Sequence, residues 1–120
     1  MVRYITYKEG KMYLTEDENK LIEKFKRNLE ALLGADKVKL ILFGSRARGD
    51  SDRNSDIDIA IIVKNLTREQ KNLILEETAD FEFENIMPLS TLILSEEEFK
   101  FLKKRERAIA YEIENEGIRL

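Results

Sequence analysis

The chain has 120 residues, 42% of them hydrophobic and 38% charged, with a formal net charge of −3. That length favours one domain spanning residues 1–120, and the net charge excludes a molecule that attracts nucleic acid through its overall field. Cysteine and histidine are both absent, which excludes disulfides, thiolate metal sites and imidazole chemistry and makes Zn²⁺ a poor fit.

Carboxylates must therefore carry any acid–base or metal work. No run of about 18 apolar residues is present, so no membrane-spanning helix is expected. The first residues, "MVRYITYKEGKMYL", are interrupted by charges and lack the apolar core of a signal peptide. With the missing cysteines this points to a cytoplasmic protein. The charged residues are mostly Lys, Glu and Arg, a bias that fits the surface ion-pair networks of a thermophile.

In chain order, the first dozen residues alternate weakly and read as a short strand or arm with a turn near Gly10. Thr15 and Glu18 form a capping box, and Leu21, Ile22, Phe25, Leu29 and Leu32 fall on one helical face. The spacing predicts a helix over about 16–33, stopped by Gly34. "KVKLILFG" is a β-rich run ending at Gly44, and "DIDIAIIVK" is a second strand after a polar loop. Thr67 and Gln70 cap a helix over "TREQKNLILEETADFEFE". "NIMPLSTLILS" reads as a third strand, with Pro88 near its start where a missing donor is tolerable. Ser95 and Glu98 cap a last helix, "EEEFKFLKKRERAIAYEIENEG", which Gly117 can end.

The expected fold class is α/β (α+β): a small mixed sheet of about three to five strands with helices packed on it. The expected core is Leu21, Phe25, Leu29, Leu40, Leu42, Ile57, Ile59, Ile61, Leu73, Leu92, Leu94, Phe99 and Ile109. In the last helix, Phe101 and Tyr111 fall off the core-facing stripe and are candidates for a contact patch.

The chemistry concentrates in "FGSRARGDSDRNSDIDIAIIV", Phe43 to Val63. Successive strand residues point to opposite faces, so Asp56 and Asp58 share one face and Ile57, Ile59 and Ile61 the other. Two adjacent carboxylates need a counter-charge or a shared proton. Mg²⁺ answers that need with hard oxygen ligands and leaves positions for substrate phosphates. The bland alternative is a pair of aspartates ending a strand in solvent. Upstream, Gly44 and Ser45 follow a strand, where backbone N–H groups can cradle an anion and glycine permits close approach. Arg46 and Arg48 bring positive charge, and Gly49 lets the chain turn back. The arginines read alternatively as solvated surface charge, and Arg48 as a partner for an aspartate of its own loop.

Gly-Ser, ten residues, then Asp-x-Asp resembles the signature of the DNA polymerase β-like nucleotidyltransferase superfamily. The fuller stretch is similar to its minimal nucleotidyltransferase branch, with Gly44, Ser45, Ala47, Gly49, Ser55, Asp56, Asp58 and Val63 matching. The resemblance implies the nucleotidyltransferase fold and metal-dependent transfer of a nucleoside monophosphate from an NTP, ATP by expectation, with release of pyrophosphate. Gly44, Ser45, Arg46, Arg48, Gly49 and Ser55 would bind the nucleotide, and Asp56 and Asp58 would be the catalytic metal ligands for Mg²⁺.

The superfamily usually adds a third carboxylate from a later strand. "IMPLSTLILS" offers only Ser90 and Thr91 there; Glu82 or Glu84 could substitute if the strand starts early, and otherwise they are exposed helix-end residues. Two functions stay open: an NMP transferase, and a binding module that keeps the fold without turnover. Relatives of this size often act with a small helical HEPN-type protein as the antitoxin of a toxin–antitoxin pair, adding AMP to the toxin's tyrosine. Such a partner is the expectation, a homo-oligomer is left open, and neither a membrane nor nucleic acid is an expected partner.

Overall fold

The computed structural model describes residues 7–8, 11–12, 14–48 and 56–120. Strands β1 (Tyr7–Lys8) and β2 (Lys11–Met12) pair antiparallel as a small hairpin; Gly10, read as its turn, lies outside the described residues. Helix α1 (Glu16–Leu33) follows, then β3 (Val38–Phe43), a short helix α2 (Gly44–Arg48), β4 (Ile57–Val63), α3 (Arg68–Asn85) and β5 (Leu89–Ser95). The chain ends with α4 (Glu96–Arg105), α5 (Arg107–Tyr111), a π-helical turn (Glu112–Glu116) and β6 (Ile118–Arg119). No helix of the described residues is long and apolar enough to cross a membrane.

The three predicted capping boxes are all formed. Thr15, Thr67 and Ser95 each accept from the backbone three residues on, and Glu18, Gln70 and Glu98 each accept in return from the capping residue. Each box satisfies two N–H groups that a helix start leaves without partners.

The main sheet runs β5-β4-β3-β6. β3 is antiparallel to β4 and β6, and β4 is parallel to β5, with α3 as the crossover. Alternation along β4 divides the core in two. Ile57, Ile59, Ile61 and Val63 join Phe25, Leu29, Ile74 and Phe81 of α1 and α3 on one face. The Phe25 and Phe81 rings lie 5.0 Å apart between their centroids. Ala60 and Ile62 join Phe43 and Ile113 on the other face, with Phe99, Leu102 and Ile109 packed against them. The sheet is thus covered on both sides, and β4 is apolar throughout except at its start.

Four expectations change. "GSRAR" is a helical turn rather than loop. The last predicted helix breaks at Glu106 (φ −130°, ψ 74°) and ends in the π turn, and β6 follows it. The sequence shows no proline or glycine at that break, and a two-residue strand is too short to carry a periodic signal. Leu73 is 40% exposed, because in Leu73–Ile74–Leu75 the helix buries only the middle residue, in line with Thr78 and Phe81. In β5 the buried residue is Ile93, while Leu94 is half-buried. Leu21, Leu92, Phe99 and Ile109 are half-buried and pack at the edges of the two clusters.

Candidate active site

The polar start of β4 sits where β3 ends and α2 begins. The β3–β4 ladder pairs Phe43 with Asp58, so the next residue, Gly44, lies against the Asp58 carboxylate. Gly44 adopts φ +73°, and a Cβ there would fall on Asp58 Oδ2 and lie 3.1 Å from its Cγ. Both backbone and space therefore require glycine. The Gly-Ser turn and Asp58, which the sequence motif joins in one unit, are in contact in the fold.

Asp58 is half-buried and Asp56 is exposed at the strand mouth. Burial pushes the Asp58 carboxyl above its ordinary range; a hydrogen bond from the Ser90 hydroxyl opposes this, Asp56 and Glu112 raise it further, and Arg48 pulls it down. Ser90 stands opposite Asp58 in the parallel β4–β5 register. The position on β5 nearest the aspartates is therefore filled by a neutral donor that orients Asp58.

Glu82 and Glu84 do not come forward as strand acids. β5 starts at Leu89, and both glutamates lie in α3, where Glu82 Oε2 accepts from the Leu89 backbone N–H at 3.0 Å. Glu84 is exposed. Among the described residues, no group of three or more acidic side chains forms a ready metal cage.

Arg46, expected beside the phosphates, has a different engagement. Its guanidinium is buried and donates from Nη1 and Nη2 to the two carboxylate oxygens of Glu18, each at 2.8 Å. Glu18 Oε1 also closes the Thr15 capping box. Arg46 thus ties α2 to the first turn of α1 and holds the Gly44–Ser45 turn in place. Arg48 faces the other way along the fold: its Nη1 lies 3.4 Å from Glu112 Oε1, with both side chains more than one-third exposed. Gly49 and Ser55 lie outside the described residues.

Glu112 escaped sequence reasoning. It sits on the π turn, whose close packing depends on Gly117: a Cβ there would meet Ile113 O and Ile41 Cγ2. π turns recur at functional positions, but their extra residue leaves no trace in an apolar repeat.

The donor set suits a hard divalent cation. Asp56 and Asp58 offer it carboxylate oxygens at the mouth of β4. Beside them, Gly44 and Ser45 are half-buried at the start of α2.

The Polymerase beta, Nucleotidyltransferase family matches residues 19–120. The chain is 30% identical over 99 residues to MJ0141 of Methanocaldococcus jannaschii, a candidate protein adenylyltransferase, covering 82% of this chain and 93% of that one. A second candidate protein adenylyltransferase of that organism, MJ1305, is 38% identical over 50 residues, covering 42% of this chain and 34% of its own length. In three dimensions a candidate nucleotidyltransferase from Sulfolobus solfataricus superimposes with a TM-score of 0.54 at 21% identity, over 83% of this chain and 76% of that one. With residues 19–120 matched by the family and 30% identity to MJ0141 over 82% of its length, the chain belongs to the polymerase beta nucleotidyltransferase family.

Proposed function

We propose that the chain moves AMP from ATP to a hydroxyl group of a protein acceptor, with a small helical HEPN-type protein as the acceptor and antitoxin activity as the consequence. The observation that carries the reading is the packing of Gly44 against Asp58, which supports a site where the Gly44–Ser45 turn takes the phosphates beside the Asp56–Asp58 pair. The names borne by MJ0141 and MJ1305 support a protein as acceptor.

In the reaction, the acceptor oxygen bonds to the α-phosphorus, the bond from that phosphorus to the bridging oxygen breaks, and pyrophosphate leaves with those electrons. The acceptor's proton passes to solvent or a carboxylate. Asp56 and Asp58 would hold Mg²⁺, which when bound neutralises phosphate oxygens and lowers the acceptor hydroxyl's pKa. Gly44 and Ser45 orient the triphosphate, Ser90 fixes Asp58, and Arg48 offers a cation to the departing pyrophosphate. Arg46 contributes by positioning the turn.

A second reading, a partner-binding module without turnover, is favoured by Ser90 standing opposite Asp58 where the superfamily usually has an acid. Labelled ATP incubated with the protein and a co-expressed partner separates the two. Label on the partner that disappears in Asp56→Asn and Asp58→Asn supports transfer; a firm complex without label leaves the binding module.

A further inference from the structure

Helix α3 carries two apolar stripes, and only one is buried. Ile74, Thr78 and Phe81 face α1 and the sheet. Leu75, Ala79, Phe83 and Ile86 fall at helical spacing on an outer face, and Leu75, Phe83 and Ile86 are 49%, 87% and 90% exposed. A row of acids lies beside this outer stripe at the same four-residue spacing: Glu76, Asp80 and Glu84, all exposed. No lysine or arginine occurs anywhere between Lys71 and Lys100. From Leu75 to Ile86 the face is therefore apolar, bordered by negative charge, and without a basic residue of its own helix, whose cations, Arg68 and Lys71, lie at its first turn.

Its position and conformation add to this. The stripe ends at Ile86, three residues before Leu89, which pairs with Ile57 at the mouth of β4. The outer face thus runs to the end of the sheet that bears Asp56 and Asp58. Ile86 itself caps α3 in the left-handed region, at φ 49°. Glycine is the usual residue there, and a β-branched side chain in that conformation is strained. The chain keeps a strained, solvated isoleucine where glycine would relieve both costs.

We propose that this face of α3 docks a basic amphipathic helix of the acceptor protein, its apolar ridge on Phe83 and Ile86 and its lysines or arginines on the acidic row. The assignment rests on the reading of a protein acceptor given above. Charge selects the occupant: a second copy of the chain would bring the same uncompensated acids to the contact, whereas a basic helix neutralises them. The two exposed apolar side chains supply the anchor that charge alone lacks.

A synthetic helical peptide tests this, with leucines four residues apart, a lysine row beside them and one tyrosine, alongside a twin with glutamates for lysines. Fluorescence anisotropy should show the lysine peptide binding and the glutamate twin not. Phe83→Ser should weaken binding at least about tenfold. Ile86→Gly should weaken it while raising the melting temperature, a split that a structural role would not produce. Reversing Glu76, Asp80 and Glu84 together to lysine should transfer preference to the glutamate twin. The same number of reversals at Asp17, Asp36 and Glu106 should not.

Equal effects of the two reversal sets, or indifference to Phe83→Ser and Ile86→Gly, would overturn the proposal. So would self-association in sedimentation that Phe83→Ser abolishes, because that gives the face to a second copy. Binding of a fluorescent ATP analogue and transfer of AMP to the co-expressed partner, measured in the same variants, keep the two ideas apart. Lost docking specificity with nucleotide transfer intact removes only the docking face. Specific docking with no transfer to the partner removes the enzyme.

Discussion

Arg46 and Glu18 face each other across the junction of α2 and α1, with two parallel N–H···O bonds of 2.8 Å. The side chains are 6% and 17% exposed, so the pair is largely withdrawn from water. A motif arginine thus stabilises the frame of the site from behind.

Arg46→Met should cost about 3 kcal/mol, because it leaves the Glu18 carboxylate desolvated beside an apolar chain. Arg46→Lys should recover little, since a point charge cannot replace the bidentate fork. Burial raises the Glu18 pKa, but hydrogen bonds from Arg46 and the Thr15 backbone outweigh it, so the net shift is downward from 4.5. The contribution is therefore present above pH 4.5 and is lost as pH falls through the lower folded value. Urea denaturation across that range should show wild type losing stability with acid and Glu18→Gln losing less.

Asp58 works in the opposite sense. Its folded pKa lies above 3.8, mainly through burial. The folded state then binds more protons than the unfolded state between the two values, so stability falls as pH rises through that window. Asp58→Asn should melt above wild type near neutral pH without metal, and the gap should close below about pH 4 as wild type becomes protonated. Added Mg²⁺ should raise the melting temperature of wild type only. A less stable apo variant at neutral pH would mean that the hydrogen bond from Ser90 outweighs burial and repulsion.

Much of this site was legible because its local signals agree. The capping boxes are encoded within four residues, and the alternation of "DIDIAIIV" gives both the strand and the face of its aspartates. Glycine before serine at a strand end anticipates the positive φ of Gly44. What could not be read depends on distant partners. Arg46 and Arg48 are chemically alike in the sequence, and only the packing of α1 against α2 sends one to Glu18 and the other toward Glu112. Leu73 and Leu75 flank Ile74 symmetrically, and tertiary contact selects the middle residue. β6 is stable only because the edge of β3 awaits it.

Gly44→Ala should be among the most damaging small changes. Alanine is strained at φ +73° and its methyl group would displace the Asp58 carboxylate. The backbone strain alone costs about 1–3 kcal/mol. Isothermal calorimetry should find Mg²⁺–ATP binding lost even where circular dichroism shows the sheet and helices retained. Retained affinity would mean that Asp58 can leave its place against the turn without consequence, and the coupling of turn to carboxylate would fail.

The last prediction concerns Glu112, whose carboxylate raises the proton affinity of Asp58 while pairing with Arg48. Glu112→Gln removes a negative charge near Asp58, which by itself favours the ionised form. It also weakens the hold on Arg48, leaving that guanidinium freer to neutralise Asp58. Both effects have the same sign, so the Asp58 pKa should fall. The shift should be modest and shrink at high salt, because Arg48 and Glu112 are more than one-third exposed and screened by solvent. Carboxyl-detected NMR titration of the metal-free protein measures it directly, with Glu114→Gln, on the same π turn, as the control. An Asp58 pKa that rises in Glu112→Gln would mean that Glu112 holds Arg48 in the position from which it serves Asp58, making the pair a support for the site rather than a competitor within it.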